Sequence, residues 1–252
     1  MADLREIAEY LDDVLDVHRI PDYPSAWNGL QVHCRSPIES MRVATDACQA
    51  TIDEAAGDGA QLLIVHHGLF WTDPLPVTGR SYRRLKALMD ADMALYSAHL
   101  PLDIHPEFGN NVLLAAALGL ETEGTFGRWS ELEGIGVWAT ADVALDEILS
   151  RVEGACGTEP FAIRGGPDHV RRVGVATGGA AALMEQAHQE GLDTLVTGEG
   201  NHHTYHQAME TGLNVVYAGH YATETFGVRA LGERLAERYG LECRFLDHPT
   251  GL

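Results

Sequence analysis

Apolar positions recur along this chain in two rhythms. Over residues 3–17, Leu4, Ile7, Ala8, Leu11, Val14 and Leu15 fall at helical spacing, with Asp3 placed to cap the first turn. A Pro-rich stretch follows, "IPDYPSAWNGLQV". Short apolar runs then alternate with amphipathic segments. "RVAT" (42–45), "QLLIVHH" (61–67) and "MALYSA" (93–98) predict strands, and 47–58, 80–91 and 108–119 predict helices. The middle, about 121–168, is Gly-rich and less periodic, with two or three short strands and one helix at 144–153. From 171 the first pattern returns. "RRVGVATGG", "DTLVTGEG", "NVVYAG" and "LECRFL" predict strands, separated by helices over 180–190, 202–211 and 222–238. Strands joined by helices of this length predict βαβ units, hence an α/β fold with mixed, largely parallel sheets. The expected organisation is an α/β half over 1–120, a connecting subdomain over 121–168 and a second α/β half over 169–252.

The two halves share residues as well as outline. Sliding 42–68 forward by 132 positions sets Val43, Ala44 and Thr45 on Val175, Ala176 and Thr177. It also sets Ala50, Ala55, Gly59, Leu63 and Gly68 on Ala182, Ala187, Gly191, Leu195 and Gly200. At an offset of 121, Tyr96, His99 and Asp103 of "YSAHLPLD" meet Tyr217, His220 and Glu224 of "YAGHYATE". The ordered recurrence predicts two related α/β half-domains.

Composition is that of an ordinary globular protein, with 45% hydrophobic and 21% charged residues in a chain of 252. The first twenty residues lack the basic patch and apolar stretch of a signal peptide, and no apolar run approaches the ~18 residues of a membrane span. A cytoplasmic protein with no membrane partner is expected. Net charge changes the picture more, because a formal −20 repels nucleic acid and anionic lipid. It is also the surface expected of a protein adapted to a salt-rich interior, where counterions screen self-repulsion. Cys34, Cys48, Cys156 and Cys243 form no CxxC pair, which argues against a zinc finger or a disulfide framework.

Ligands of α/β sheets bind beyond the carboxyl ends of the strands. His66 and His67 follow one predicted strand, His99 and Asp103 a second, and His220 and Glu224 a third. Imidazoles and carboxylates without thiolate suit zinc, iron, manganese or nickel, and carboxylates can bridge two such ions. Each residue also has a structural explanation. His99 can bond a backbone carbonyl, Asp103 can cap the next helix, and Glu224 in a first helical turn complements the macrodipole. "NHHTYH" adds His202, His203 and His206, the first and last one turn apart, without the glutamate of an HExxH protease. No GxxxxGK[ST], GxGxxG or GxSxG motif is present.

"NGLQV" (28–32), "VHHGLFW" (65–71), "YSAHLPLDIHPEFGNN" (96–111), "TGE" (197–199) and "GHYATETFGVRALGERLAE" (219–237) together resemble the Nif-three-like dinuclear-metal family, some of whose members are labelled GTP cyclohydrolase type-two homologues. The resemblance covers nearly the whole chain, in order. It implies two similar α/β domains, a homohexameric ring, and two metal ions bound by His66, His67, Asp103, His220 and Glu224, with His99 a neighbour of the ligands. Two functional classes follow. One is a metal-dependent hydrolase, with the cyclohydrolase label pointing to a purine nucleotide. The other is a non-catalytic metal-handling or regulatory binding protein.

Overall fold

Asp3 caps the first helix as its position predicts, accepting the backbone N–H groups of Arg5 and Glu6 at 2.9 and 3.2 Å. The computed structural model describes residues 1–71 and 76–252. Through the first half, α1 (Leu4–Val14), β1 (Gly29–Val32), β2 (Ser40–Asp46), α2 (Gln49–Gly57), β3 (Leu62–His67), α3 (Gly79–Asp90), β4 (Ala94–Ser97), α4 (Leu100–Asp103) and α5 (Asn110–Ala117) follow one another. The middle holds β5 (Gly124–Trp129), β6 (Leu132–Ala144), α6 (Leu145–Cys156) and β7 (Phe161–Arg164). Then come β8 (His169–Val175), a 3-10 turn running into α7 (Met184–Gln189), β9 (Thr194–Thr197), α8 (Thr204–Thr211), β10 (Asn214–Tyr217), α9 (His220–Thr223), α10 (Thr225–Tyr239) and β11 (Glu242–Phe245).

The chain forms two compact units. The first contains Met1–Leu102 and Gly227–His248; the second contains Asp103–Phe226 and Pro249–Leu252. In the first, five strands run in the order β1-β4-β3-β2-β11. All pairs are parallel except β1 with β4. In the second, six strands run β5-β6-β8-β9-β10-β7, with β8, β9 and β10 parallel and the others antiparallel. The repeat seen in the residues is thus a repeat of topology. Each sheet has a parallel trio, β2-β3-β4 or β8-β9-β10, with one antiparallel strand beyond its last member.

One element falls where sequence periodicity did not place it, and one predicted strand joins the other half's sheet. β1 lies inside the Pro-rich stretch, and β11 joins the first unit's sheet beside β2. The return of the chain to the first unit has a packing reason. Gly232 of α10 lies so near β2 and β11 that a Cβ there would sit 2.7 Å from Cys243 Sγ and 2.9 Å from Val43 Cγ1.

Leu63 and Val65 of β3 pack with Ala44, Ile52, Leu88 and Leu95 in the first unit's core. In the second, Val173, Val175, Val196 and Val216 pack against Leu114, Ile148 and Val152. Burying each such aliphatic side chain contributes about 1.5–3 kcal/mol, which anchors the strands whose ends carry the polar residues below. Among the described residues, no helix is long and apolar enough to cross a membrane.

Candidate metal centre

β3 ends in two imidazoles. His66 is fully buried, and its Nδ1 lies 2.9 Å from the carbonyl oxygen of Ala98, just past β4. His67 Nδ1 lies 2.8 Å from Asp46 Oδ1, and Asp46 is the residue paired with His67 at the end of β2. His99 follows β4, with Nδ1 2.9 Å from Asp22 Oδ1. A carbonyl or an ionised carboxylate can only accept, so each Nδ1 donates. A metal-ligating histidine is held the same way, one nitrogen bonded to an outer partner and the other turned to the ion. The three rings lie 4.7 to 5.7 Å apart between centroids. One nitrogen from each lies within 4.8 Å of the other two, close enough to hold a common ion.

The Pro-rich stretch supports this cluster. Asp22 also accepts from Asn28 Nδ2, Leu100 N and its neighbour Tyr23 N, while Asn28 Oδ1 accepts the His99 N–H at 2.7 Å. Burial alone would raise the Asp22 carboxyl. The hydrogen bond and charge of His99, with the Asn28 and Tyr23 bonds, outweigh it and hold Asp22 below the ordinary aspartate value. Gln31 of β1 reaches across to Leu69, whose N–H it accepts at 2.8 Å, and fills the space over Gly68. Trp71 meets the His99 ring edge to face at 4.6 Å, and Tyr23 lies 5.8 Å from it.

The second unit has carboxylates of its own. Asp103, at the end of α4, is buried, and its Oδ1 accepts from Asn110 Nδ2 at 2.8 Å and Thr177 Oγ1 at 3.3 Å. Asn111 fixes the same turn, accepting from the Thr177 N–H at 2.8 Å and donating to Ile135 O at 2.7 Å. Glu224, between α9 and α10, is buried, and an oxygen of it lies within 4.8 Å of one of Asp103. His220 bridges two acids, with Nε2 3.1 Å from Glu224 Oε2 and Nδ1 3.0 Å from Glu199 Oε1. The Glu224 hydrogen bond, opposed by burial and aided by Glu199, pushes His220 up to about 9. These carboxylates therefore favour a positive charge at Nε2, which a proton supplies and a divalent cation would supply more strongly.

Gly178 makes room for this arrangement. It follows β8 with φ +64°, and a Cβ there would stand 2.0 Å from Glu224 Oε1 and 3.4 Å from His220 Nε2. Its N–H donates to Thr223 Oγ1, and its carbonyl accepts from Gly198 and Glu199. The donor chemistry of both units fits borderline divalent cations: imidazole nitrogens in one, and buried carboxylates with an imidazole between two acids in the other.

All five residues expected as ligands, and His99, lie at the carboxyl ends of strands or in or just after the short helices that follow them. His202, His203 and His206 lie further out, exposed at the start of α8. Sequence reasoning missed Asp22, Asn28 and Asp46 as partners. Asp46 was reachable, since a strand ending "VATD" beside one ending "VHH" pairs an acid with an imidazole. Asp22 was not, because 77 residues separate it from His99.

The family model for Duf34/NIF3 (NGG1p interacting factor 3) matches residues 2–250. The chain is 42% identical over 249 residues to a Deinococcus radiodurans protein named GTP cyclohydrolase 1 type 2 homolog, covering 98% of this chain and 94% of that one. A protein of the same name from Halobacterium salinarum is 44% identical over 258 residues, covering 99% and 100%. Among solved structures, TTHA1606 from Thermus thermophilus matches with a TM-score of 0.90 at 41% identity, covering 99% of this chain and 100% of that one. A match across the whole chain, in sequence and in fold, makes this chain a member of the Duf34/NIF3 family.

Proposed function

We propose that His66, His67, Asp103, His220 and Glu224 hold two divalent d-block cations and that the protein is a metal-dependent hydrolase. The observation that carries this reading is the set of anchored imidazoles: Ala98 O, Asp46 and Glu199 each hold one Nδ1, which makes Nε2 the atom each ring would offer a cation. Zinc, iron, manganese and nickel all suit the donors. A bound pair would supply Lewis acidity, making water a nucleophile near neutral pH and offsetting charge that builds on the attacked group. The chain's own residues do the rest. His99, held by Asp22 at Nδ1, can take or give a proton at Nε2. Trp71 and Tyr23 lie beside its ring. The relatives' cyclohydrolase name places a purine nucleotide among the substrates to try. A homohexameric, cytoplasmic, salt-adapted protein completes the proposal.

The test is turnover after metal loading, across nucleotides, phosphoesters and cyclic amides, with His66→Ala and Glu224→Ala alongside. Hydrolysis in the loaded wild type, lost in both variants, is the expected result. Metal that exchanges freely with no substrate turned over would favour a metal-handling protein instead.

A further inference from the structure

The second unit carries a pair of imidazoles that the proposed centre does not use. His202 and His206 lie on the turn that opens α8, both exposed, with ring centroids 5.9 Å apart and planes at 82°. Tyr205 meets the other side of His206 edge to face at 5.5 Å. Among the described residues, no hydrogen bond or ion pair engages a ring nitrogen of His202 or His206. Two imidazoles held side by side without an acid would repel each other once protonated.

The turn beneath them is firmly built. Thr204 is buried, and its Oγ1 lies 2.5 Å from both Asn201 O and the Tyr217 hydroxyl. Thr204 N also donates to Asn201 O, and Tyr205 N to His202 O. Gly200 leaves space for the Tyr217 ring, since a Cβ there would stand 2.3 Å from the Tyr217 hydroxyl. The chain thus carries His202 on a pinned turn, one helical turn before His206. Residues at this spacing are neighbours on a helix surface, and Glu210 one turn further adds negative charge along the same side.

We propose that His202 and His206 form a surface site for a d-block divalent cation with open coordination positions, bound through one nitrogen of each ring. Copper(II) and nickel(II) fit best, because imidazole affinity rises towards them. The nearby helix N-terminus opposes a cation, so the site relies on coordination and is weak and exchangeable. His203 is the neighbour that does not take part, since consecutive residues do not share a helix face.

The probe is copper(II) nitrilotriacetate, whose chelate leaves room for two imidazoles. It is titrated into the full-length protein and followed by electron paramagnetic resonance. His202→Ala, His206→Ala and His203→Ala are run beside the wild type, with thermal melts to confirm that these exposed substitutions leave the fold intact. The expected result is a two-nitrogen copper signal in the wild type. His202→Ala and His206→Ala should each weaken it at least about ten-fold, because the second imidazole binds at high effective concentration. His203→Ala should leave it unchanged. A wild type that binds no better than His206→Ala, or a signal lost only in His203→Ala, would overturn the proposal.

Discussion

At the residue scale, two adjacent glycines give the sharpest contrast. Gly178 sits at positive φ against Glu224, whereas a Cβ on Gly179 would come no nearer than 3.7 Å to Glu199. Gly178→Ala must displace a buried carboxylate and should cost about 1–3 kcal/mol together with metal affinity. Gly179→Ala should be tolerated. Melting and metal titration of the two variants check this. The partners of the imidazoles make a second prediction. Asp46→Asn and Glu199→Gln keep the shape but weaken the hold on Nδ1 of His67 and His220, so metal affinity should fall about 10–100-fold with the fold intact. Asp22 makes a third, in pH. Its folded-state value is depressed, so its contribution is fully present above the unfolded value of 3.8 and is lost as pH falls through the lower folded value. Asp22→Asn should therefore be less stable than wild type by about 1–3 kcal/mol at neutral pH, with the gap closing below about pH 3.8. Acid denaturation curves of the two proteins measure it.

At the scale of elements, glycine again separates packed from open positions. Gly232 of α10 faces Val43 and Cys243 at distances no Cβ tolerates, while Gly154 of α6 is exposed with nothing within 4 Å. Gly232→Ala should destabilise by about 1–3 kcal/mol. Gly154→Ala should stabilise by about 0.5–1 kcal/mol, from helix propensity and a less free unfolded chain. Chemical denaturation resolves both. The elements readable from sequence were those with strong apolar runs: β3, β4, β9 and β10 bury every residue or all but the last. β7, "FAIR", buries only Ile163, and β1 is bounded by Gly29 at φ +104°, so neither carries a strand pattern. The long β6 is broken by an irregularity between Thr140 and Val143, which spoils its alternation. Strand ends announce donor residues because the fold rule points there. The acids that orient those donors are set by sheet pairing or by a distant loop, and periodicity cannot see either.

At the scale of the molecule, charge and metal dominate. A net charge of −20 stores self-repulsion that counterions relieve. Thermal melts across a potassium chloride series should show stability rising with salt; a maximum in dilute buffer would contradict salt adaptation. The central claim is that His66, His67, Asp103, His220 and Glu224 hold a pair of cations. Anomalous diffraction from crystals soaked in manganese or zinc tests it most directly. The account predicts two anomalous peaks per chain, bonded at about 2.0–2.2 Å by imidazole Nε2 atoms of His66, His67 and His220 and by carboxylate oxygens of Asp103 and Glu224. A map with no peak among these five side chains, at full soaking and intact diffraction, would contradict it.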